Sequence, residues 1–309
     1  MNAIETRGLT RRFGRILAVD DLSLNVSEGK IYGFLGPNGA GKTTTIHMLM
    51  GFVRPHEGTA KVLGYDVQTQ HYEIRKLVGY LPERPAFYES MTGVANMRYF
   101  GKLMGVQDLD AKIAGLLKQV GLEGRGKDRV RTYSHGMRQR LGIGIALLGS
   151  PKLLILDEPT TGLDPQGSHD IREIIKRLKS ENVTIFLSSH ILHEVQEVSD
   201  VVGIIKNGKM IVEKPIDSFL RSTKGGLTML EVRAGNLDDR FLSIARGIKG
   251  VEDVSRDDGR LLLTVEAPAV AEDVNIALVS AGLRVRELKE IMPTLEDAFL
   301  QVVGEKEEG

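Results

Sequence analysis

The segment Gly36-Pro37-Asn38-Gly39-Ala40-Gly41-Lys42-Thr43-Thr44 is the most informative part of the sequence. The apolar run at 31–35 before it predicts a buried strand, and residues 45–50 after it predict the start of a helix. A strand, a glycine-rich turn and a helix, in this order, form the setting of a phosphate-binding loop, and the spacing Gly-x-x-x-x-Gly-Lys-Thr matches that loop at every fixed position. A glycine-rich turn that only joins a strand to a helix is the alternative.

The chemistry of this segment follows from its atoms. Its glycines allow backbone conformations that a side chain forbids, so successive N–H groups can surround a phosphate chain. The positive end of the following helix adds to this attraction. Lys42 supplies a compact cation for the β- and γ-phosphates, the Thr43 hydroxyl is suited to ligate Mg²⁺, and Thr44 can reach the α-phosphate.

Composition limits the classes of protein that this chain can belong to. Its 309 residues predict one large domain or two, and its 41 basic and 41 acidic residues lack the basic excess of a dedicated nucleic-acid binder. Cysteine is absent, which excludes disulfides, thiolate metal sites and a cysteine nucleophile, and fits a cytosolic protein. Residues 1–14 are charged and lack an apolar segment, so they are not expected to act as a signal peptide, and the longest apolar runs, 143–148 and 153–156, are too short to span a membrane.

A second candidate element of the site is the run Leu153-Leu154-Ile155-Leu156-Asp157-Glu158-Pro159. Four apolar residues predict a fully buried strand of a parallel sheet, and two carboxylates follow at its C-terminal end, where open α/β sheets bind ligands. Asp157 is suited to hold Mg²⁺, and Glu158 is suited to orient and polarise an attacking water. A strand that is simply followed by two acids is the alternative.

Two further motifs are weaker when taken alone. His190 follows a predicted strand at 182–188 and leaves the sheet at the same edge as Glu158, which favours contact with a γ-phosphate over a structural role. Ser134-His135-Gly136 stands before a helix predicted at 139–149, and such a turn either binds an anion or only caps the helix.

The N-terminal third adds an aromatic candidate. Residues 3–13 and 22–26 predict paired strands, and Phe13 at the end of the first is either an ordinary sheet residue or a platform that stacks on adenine. A strand at 78–83 ends at Glu83, and the helical spacing over 92–122 predicts an insertion between the phosphate loop and the acidic motif.

The C-terminal part has a different pattern. Residues 216–226 predict a linker, and the order of predicted elements after it, β-α-β-β-α-β, is typical of a ferredoxin-like fold. A last helix is predicted at 294–303, followed by a charged tail at 305–309. No catalytic group of residues is evident here, so a packing or dimerisation module is favoured over a ligand sensor.

Taken together, these motifs over residues 2–220 resemble the ATP-binding subunit of ABC transporters. The resemblance implies an α/β P-loop NTPase fold with a mostly parallel core sheet, an antiparallel β subdomain and a helical subdomain at about 84–150. The expected domains are a nucleotide-binding domain at 1–220, a small α+β ferredoxin-like domain at 221–304 and the tail at 305–309. The expected ligands are ATP and Mg²⁺.

The resemblance also implies residue roles. Phe13 would stack on adenine, the loop at 36–44 would hold the phosphates with Lys42, and Glu158 and His190 would act at the γ-phosphate. Ser134, His135 and Gly136 would serve the nucleotide of a second copy bound head to tail, and Asp164 would link the two sites. Mg²⁺ would be held by Thr43, Asp157 and Glu83.

Two departures from the family pattern narrow the class. Glu83 stands where the family usually has Gln, and His135 and Met137 stand within a signature that is usually Leu-Ser-Gly-Gly-Gln. Both look like the exporter subclass whose ATPase and membrane subunits are separate chains. The chain is therefore expected on the inner face of the cell membrane, held there by a separate permease, with no nucleic-acid partner. A soluble ABC ATPase not coupled to transport and a small-molecule kinase are the alternatives.

Overall fold

A computed structural model describes residues 1–222, 228–257, 259–268, 270–291, 294–296 and 299. The chain forms two compact units, Met1–Pro215 and Ile216–Gly309. The elements of the first unit are, in order, β1 (Asn2–Phe13), β2 (Ile16–Ser27), β3 (Ile31–Leu35), α1 (Lys42–Leu49), β4 (Glu57–Val62), β5 (Tyr65–Asp66), α2 (His71–Leu77), β6 (Val78–Leu81), α3 (Gly93–Leu103), α4 (Leu109–Gln119), α5 (His135–Ala146), β7 (Leu153–Asp157), α6 (Pro165–Ser180), β8 (Thr184–Ser189), α7 (Leu192–Val198), β9 (Val201–Lys206) and β10 (Lys209–Pro215).

The central sheet of the first unit has six strands in the order β10-β9-β3-β8-β7-β6. All pairs are parallel except β9 with β10, which form a hairpin. Every residue of β3, β7 and β8 is buried, as expected for strands covered on both faces. Because these three strands run in the same direction, the residues that follow them meet at one edge of the sheet, and the predicted mostly parallel core is confirmed.

A second sheet, of four antiparallel strands in the order β2-β1-β4-β5, packs near α1. Strand β2 is longer than predicted and begins at Ile16, three residues after β1 ends. Its burial alternates along Leu22, Leu24 and Val26, whose side chains are fully buried. These residues join α1 and the central strands in one apolar core, so the phosphate loop is held between two sheets.

The helical insertion differs in detail from its prediction. The periodic region at 92–122 forms two helices, α3 and α4, and α5 begins at His135 rather than at 139. The earlier start has a local cause, because the Ser134 hydroxyl accepts the N–H of Met137 at 3.2 Å and caps the helix. In the part of the chain that the structure describes, no helix is both long enough and apolar enough to cross a membrane.

The second unit is described by itself. Its elements are α8 (Ile216–Ser222), β11 (Thr228–Ala234), α9 (Asp239–Arg246), β12 (Val251–Asp257), β13 (Arg260–Val265), α10 (Val270–Ser280) and β14 (Val285–Ile291). The antiparallel order β12-β13-β11-β14 confirms the ferredoxin-like prediction. The linker prediction is wrong for 216–222, which form α8, and 223–227 lie outside the described residues. The helix predicted at 294–303 lies largely outside them, and the tail at 305–309 entirely.

Candidate nucleotide-binding and catalytic site

The loop between β3 and α1 has a backbone that requires glycine. Gly41 has φ of 109°, and a Cβ atom there would lie 2.4 Å from the carbonyl oxygen of Ala18. A Cβ atom on Gly36 would lie 2.3 Å from the carbonyl oxygen of Ile205. Both distances are far below van der Waals contact, so the sequence folds into this loop only with glycine at these positions.

Lys42 begins α1 and points back over the loop. Its ammonium donates to the carbonyl oxygen of Gly36 at 2.6 Å and to that of Pro37 at 3.2 Å, and it lies 3.1 Å from Glu158 Oε1. The side chain is only 6% exposed, so these three oxygens replace water around the charge. The lysine of the loop and the glutamate after β7 are thus in direct contact.

Glu158 occupies a constrained position immediately after β7. Its φ is +51°, and its N–H points at Ser188, with 3.2 Å to the carbonyl oxygen and 3.1 Å to the hydroxyl. Its Oε2 accepts from the Thr161 hydroxyl at 2.9 Å and lies 2.8 Å from His190 Nδ1. Burial alone would raise the pKa of Glu158, but Lys42, Thr161 and His190 together lower it below its ordinary value. The carboxylate is therefore ionised at neutral pH.

Asp157 is the more deeply buried of the two acids, with 1% exposure. Its Oδ1 accepts from the Ser188 hydroxyl at 2.5 Å, whereas its Oδ2 is buried and has no hydrogen-bond donor. Burial raises the pKa of Asp157 above its ordinary value, although Ser188 and the neighbouring Thr43 hydroxyl act in the opposite direction. An unpaired buried oxygen is costly, and it makes this carboxylate a strong acceptor for a cation.

These residues fit a magnesium ion that is bound mainly by substrate. Within the described ranges, no group of three or more His, Cys, Asp or Glu side chains is arranged to hold a metal by itself. Mg²⁺ in phosphate sites keeps several waters and takes one or two protein ligands plus phosphate oxygens. The orphan Oδ2 of Asp157 beside the Thr43 hydroxyl suits that donor set, and Glu83, with a half-exposed side chain, lines the same cleft.

The cleft in front of this sheet edge has a volume of about 560 Å³, which is the size of a small-molecule site. The phosphate loop, Glu158, His190 and Glu83 all line this cleft. Residues of β2 and of the hairpin turn between β9 and β10 line it as well. Its lining consists of Ile16, Leu17, Ala18, Asn38, Gly39, Gly41, Lys42, Thr43, Thr44, Glu83, Glu158, Thr161, His190 and Asn207.

Several predicted site residues lie outside this lining. Phe13 is 44% exposed, and the guanidinium of Arg11 stacks 4.6 Å from the centre of its ring. Ser134 and Gly136 lie at the N-terminus of α5 and do not line the cleft of their own chain. Asp164 caps α6 by accepting the N–H of Gly167 at 2.8 Å.

Sequence reasoning missed two residues that hold the carboxylates. Ser188, on β8, contacts both Asp157 and Glu158, and Thr161 donates to Glu158. Ser188, near the end of buried β8, reaches Asp157 on the neighbouring β7, whereas Thr161 lies in the turn after β7 and donates back to Glu158 of the same turn. His135 also has an unexpected partner, because its Nε2 lies 3.1 Å from the carbonyl oxygen of Thr161.

A glycine-rich phosphate loop on a parallel sheet, with a buried acid pair and a histidine at the same edge, is typical of P-loop NTPases. A model of the family "ABC transporter" matches residues 19–161, and one described as "ATP-binding protein DrrA1-3-like, C-terminal domain" matches residues 220–303. The chain is 37% identical to the bacitracin transport ATP-binding protein BcrA of Bacillus licheniformis, with 97% of each chain covered.

A second relative and a solved structure agree with this assignment. The daunorubicin resistance ATP-binding protein DrrA3 of Streptomyces coeruleorubidus is 33% identical, with 98% of this chain and 96% of the relative covered. A solved ATP-binding subunit of an ABC transporter is 30% identical, with a TM-score of 0.65, and the match covers 72% of this chain and 94% of that one.

The chain belongs to the ATP-binding proteins of ABC transporters. It is the subunit that binds and hydrolyses ATP to drive transport, and the resemblance drawn from its motifs is confirmed. Nothing in these comparisons supports a soluble ATPase that is not coupled to transport.

Proposed function

We propose that this chain powers the export of an antibiotic-like compound through a permease encoded as a separate chain. The contact of Glu158 with both Lys42 and His190 in the cleft supports the role of the chain in ATP hydrolysis. The names of the relatives, which include bacitracin transport and daunorubicin resistance, support the direction of transport and the class of cargo.

The hydrolytic roles follow from the contacts. Phosphate oxygens compete with Glu158 for the Lys42 ammonium, so substrate binding would free Glu158 Oε1, which the ammonium holds at 3.1 Å, to accept the proton of an attacking water. The His190 ring orients Glu158 Oε2 through its Nδ1 contact and lines the cleft in which the γ-phosphate would bind. Mg²⁺, held by Thr43 and Asp157 with Glu83, would neutralise charge on the phosphate oxygens.

We further propose that the site is completed by a second copy of the chain. Ser134 and Gly136 lie outside the cleft of their own chain, at the N-terminus of the twelve-residue helix α5, and Ser134 is exposed. N–H groups at a helix start attract anions. Head-to-tail association presents this turn to the γ-phosphate bound by the other copy, and Asp164 and Phe13 keep the roles that the resemblance implies.

Coupling to the membrane is assigned to the helical insertion. Large apolar side chains are exposed on and before α3, with 37–68% of their surface accessible, in a chain that otherwise buries its core well. Apolar groups exposed together support a protein partner. They include Tyr88, Met91, Tyr99 and Leu103. The permease would dock here, close to Glu83, and would hold the chain on the cytoplasmic face of the membrane.

The division of labour along the chain is also a proposal. Residues 1–220 would be the nucleotide-binding domain, and 221–304 an accessory domain for packing or dimerisation. The ferredoxin-like sheet and its own apolar core, with Phe241 and Leu278 fully buried, support an independent folding unit.

Resistance tests this function in cells. The chain is co-expressed with a candidate multi-spanning membrane subunit, and the cells are challenged with bacitracin and with daunorubicin. We expect resistance from the wild-type chain and none from Glu158→Gln at the same expression level. Equal resistance from both chains, or none from either to any exported antibiotic class, would contradict the proposal.

A further inference from the structure

The two segments that carry Glu158 and His190 are tied together by a buried hydrogen bond behind the site. The Thr160 hydroxyl donates to Glu194 Oε2. Thr160 follows Glu158 by two residues, and Glu194 lies in the first turn of α7, four residues after His190. Both are buried, with 5% and 8% exposure, and neither lines the nucleotide cleft.

Glu194 is itself anchored to a third element. Its Oε1 lies 3.5 Å from Arg172 Nη1 on α6, and Arg172 Nε lies 2.8 Å from Glu197 Oε2. The Arg172 side chain is 12% exposed. The buried carboxylate is thus both hydrogen-bonded and charge-compensated, as a carboxylate at this depth must be. Because α6 is packed on the sheet through its buried isoleucines, the Thr160–Glu194 contact has a fixed base.

The front of the same two segments carries the catalytic contact. Glu158 Oε2 and His190 Nδ1 are 2.8 Å apart, and both residues lie in turns beyond their strands rather than within the sheet ladder. Glu158 is moreover held at φ of +51°, a conformation that surrounding contacts must enforce. The buried Thr160–Glu194 hydrogen bond therefore constrains the positions of Glu158 and His190 in the site.

We propose that Thr160 and Glu194 are positioning residues that fix the distance between Glu158 and His190 and thereby the rate of ATP hydrolysis. The inference rests on the roles proposed above for Glu158 and His190. It assigns the pair no contact with ATP, so it predicts an effect on turnover without an effect on nucleotide binding. A merely structural pair would change stability and leave turnover per folded chain intact.

The test uses the full chain with matched threonine variants. Thr160→Val keeps the shape and removes the hydroxyl, Thr160→Ser restores the hydroxyl, and Thr184→Val is the control. Thr184 is a buried threonine on β8 whose hydroxyl accepts the N–H of Gly29 at 2.9 Å, remote from the cleft. Folded fraction is measured by near-UV circular dichroism and used to normalise kcat.

We expect Thr160→Val to lower kcat about tenfold or more, since small displacements of catalytic groups are costly, with KM and the ATP dissociation constant within about twofold of wild type. Thr160→Ser should recover kcat to within about threefold, and Thr184→Val should leave it unchanged. Wild-type kcat in Thr160→Val, or an equal loss in Thr184→Val, would overturn the proposal.

A second pair covers the case in which Thr160→Val does not fold. Glu194→Gln keeps an oxygen that can accept from Thr160, whereas Glu194→Leu removes it and leaves Arg172 with Glu197. Only Glu194→Leu should lose kcat about tenfold. Equal kcat in both variants would refute the positioning role. If Glu158→Gln hydrolyses ATP normally, the proposed function fails instead, so the two failures are distinguishable.

Discussion

Two buried glutamates of this chain, one in each unit, have opposite surroundings. Glu231, on β11, is 4% exposed, and its carboxylate is surrounded by Arg233, Arg260 and Lys289. Glu158 is similarly buried, at 6% exposure, yet the cation at its Oε1 is Lys42 of the phosphate loop, 3.1 Å away, rather than a residue of the surrounding sheet.

The difference distinguishes a carboxylate that stabilises the fold from one that takes part in nucleotide binding and hydrolysis. Cations contact both oxygens of Glu231, so its charge stabilises the sheet to which it belongs. At the edge of the central sheet, Asp157 keeps one buried oxygen without a donor, whereas Glu158 Oε1 is held by the Lys42 ammonium, which belongs to the phosphate loop. An unsatisfied buried acceptor is costly, so the free oxygen of Asp157 supports a metal ligand there, and the Lys42 contact of Glu158 is one that a phosphate would displace.

The largest effect that sharpens this contrast is expected from Glu158→Gln. Removal of the base should lower kcat by about 100-fold or more, while ATP binds within about threefold of wild-type affinity. Glu231→Gln is the matched control on the other unit and should leave kcat unchanged. Steady-state hydrolysis gives kcat and titration calorimetry gives the ATP affinity of both variants. A wild-type kcat in Glu158→Gln would contradict the functional difference between Glu158 and Glu231.

Lys42→Ala is expected to act on binding instead. The variant loses a charge-assisted contact to the phosphates, so ATP affinity should fall by about 100-fold at neutral pH. Titration calorimetry measures this directly, and Lys289→Ala, which removes a cation from Glu231, supplies the control. Unchanged ATP affinity in Lys42→Ala would count against the phosphate-cradle role of the loop.

Asp157→Asn is expected to raise thermal stability by a few degrees in the absence of nucleotide. Burial raises the pKa of Asp157, so its ionised form costs more in the folded chain than in the unfolded one. That cost is complete above the raised pKa and vanishes below the ordinary one, so the gain should be larger at pH 8 than at the lowest pH at which the chain folds. Scanning calorimetry without nucleotide would refute this by showing a lower Tm for Asp157→Asn at pH 8.

Glu231→Gln should change stability in the opposite direction. Its carboxylate is paired by three basic side chains, so the neutral amide leaves those charges crowded, and Tm should fall by a few degrees. A rise in Tm for this variant, together with a rise for Asp157→Asn, would mean that the two units do not differ as described.

The smallest effect is expected from His135→Gly. The change removes the contact of the ring with the backbone carbonyl of Thr161, the residue that follows Thr160. Glycine is also the residue that the family usually has there, so kcat should change by less than about threefold. A loss as large as that of Glu158→Gln would show that this histidine acts in the reaction itself.

The parts of the site that a sequence can predict are those built from consecutive residues. Glycine is the residue that the positive φ at position 41 favours, and four apolar residues before Asp157, followed by two acids and a proline, predict the buried strand that forms there. Contacts across the sheet are a different matter. The pairing of Lys42 with Glu158 joins residues more than a hundred positions apart, and its distance depends on the order of β3, β8 and β7.

The predicted bounds of helices were wrong where local contacts, such as a single capping side chain, determine where a helix begins. The hydroxyl of Ser134 starts α5 four residues before the periodic pattern indicates, and α8 forms in a segment that composition predicts as a linker. The sequence cannot predict that Asp157 Oδ2 lacks a hydrogen-bond donor. That depends on which side chains the neighbouring strand places beside it. Such absences become visible only in three dimensions.

Complementation between two inactive variants tests the central claim, that each site joins the loop of one copy to the Ser134 turn of another. Lys42→Ala lacks the loop cation, and Ser134→Arg blocks the turn. Each variant alone should be inactive, but a mixed dimer contains one intact site, so a 1:1 mixture should recover up to about a quarter of wild-type hydrolysis if the chains mix at random. Hydrolysis by Ser134→Arg alone at the wild-type rate, or no recovery in the mixture despite ATP binding by Ser134→Arg, would contradict the account.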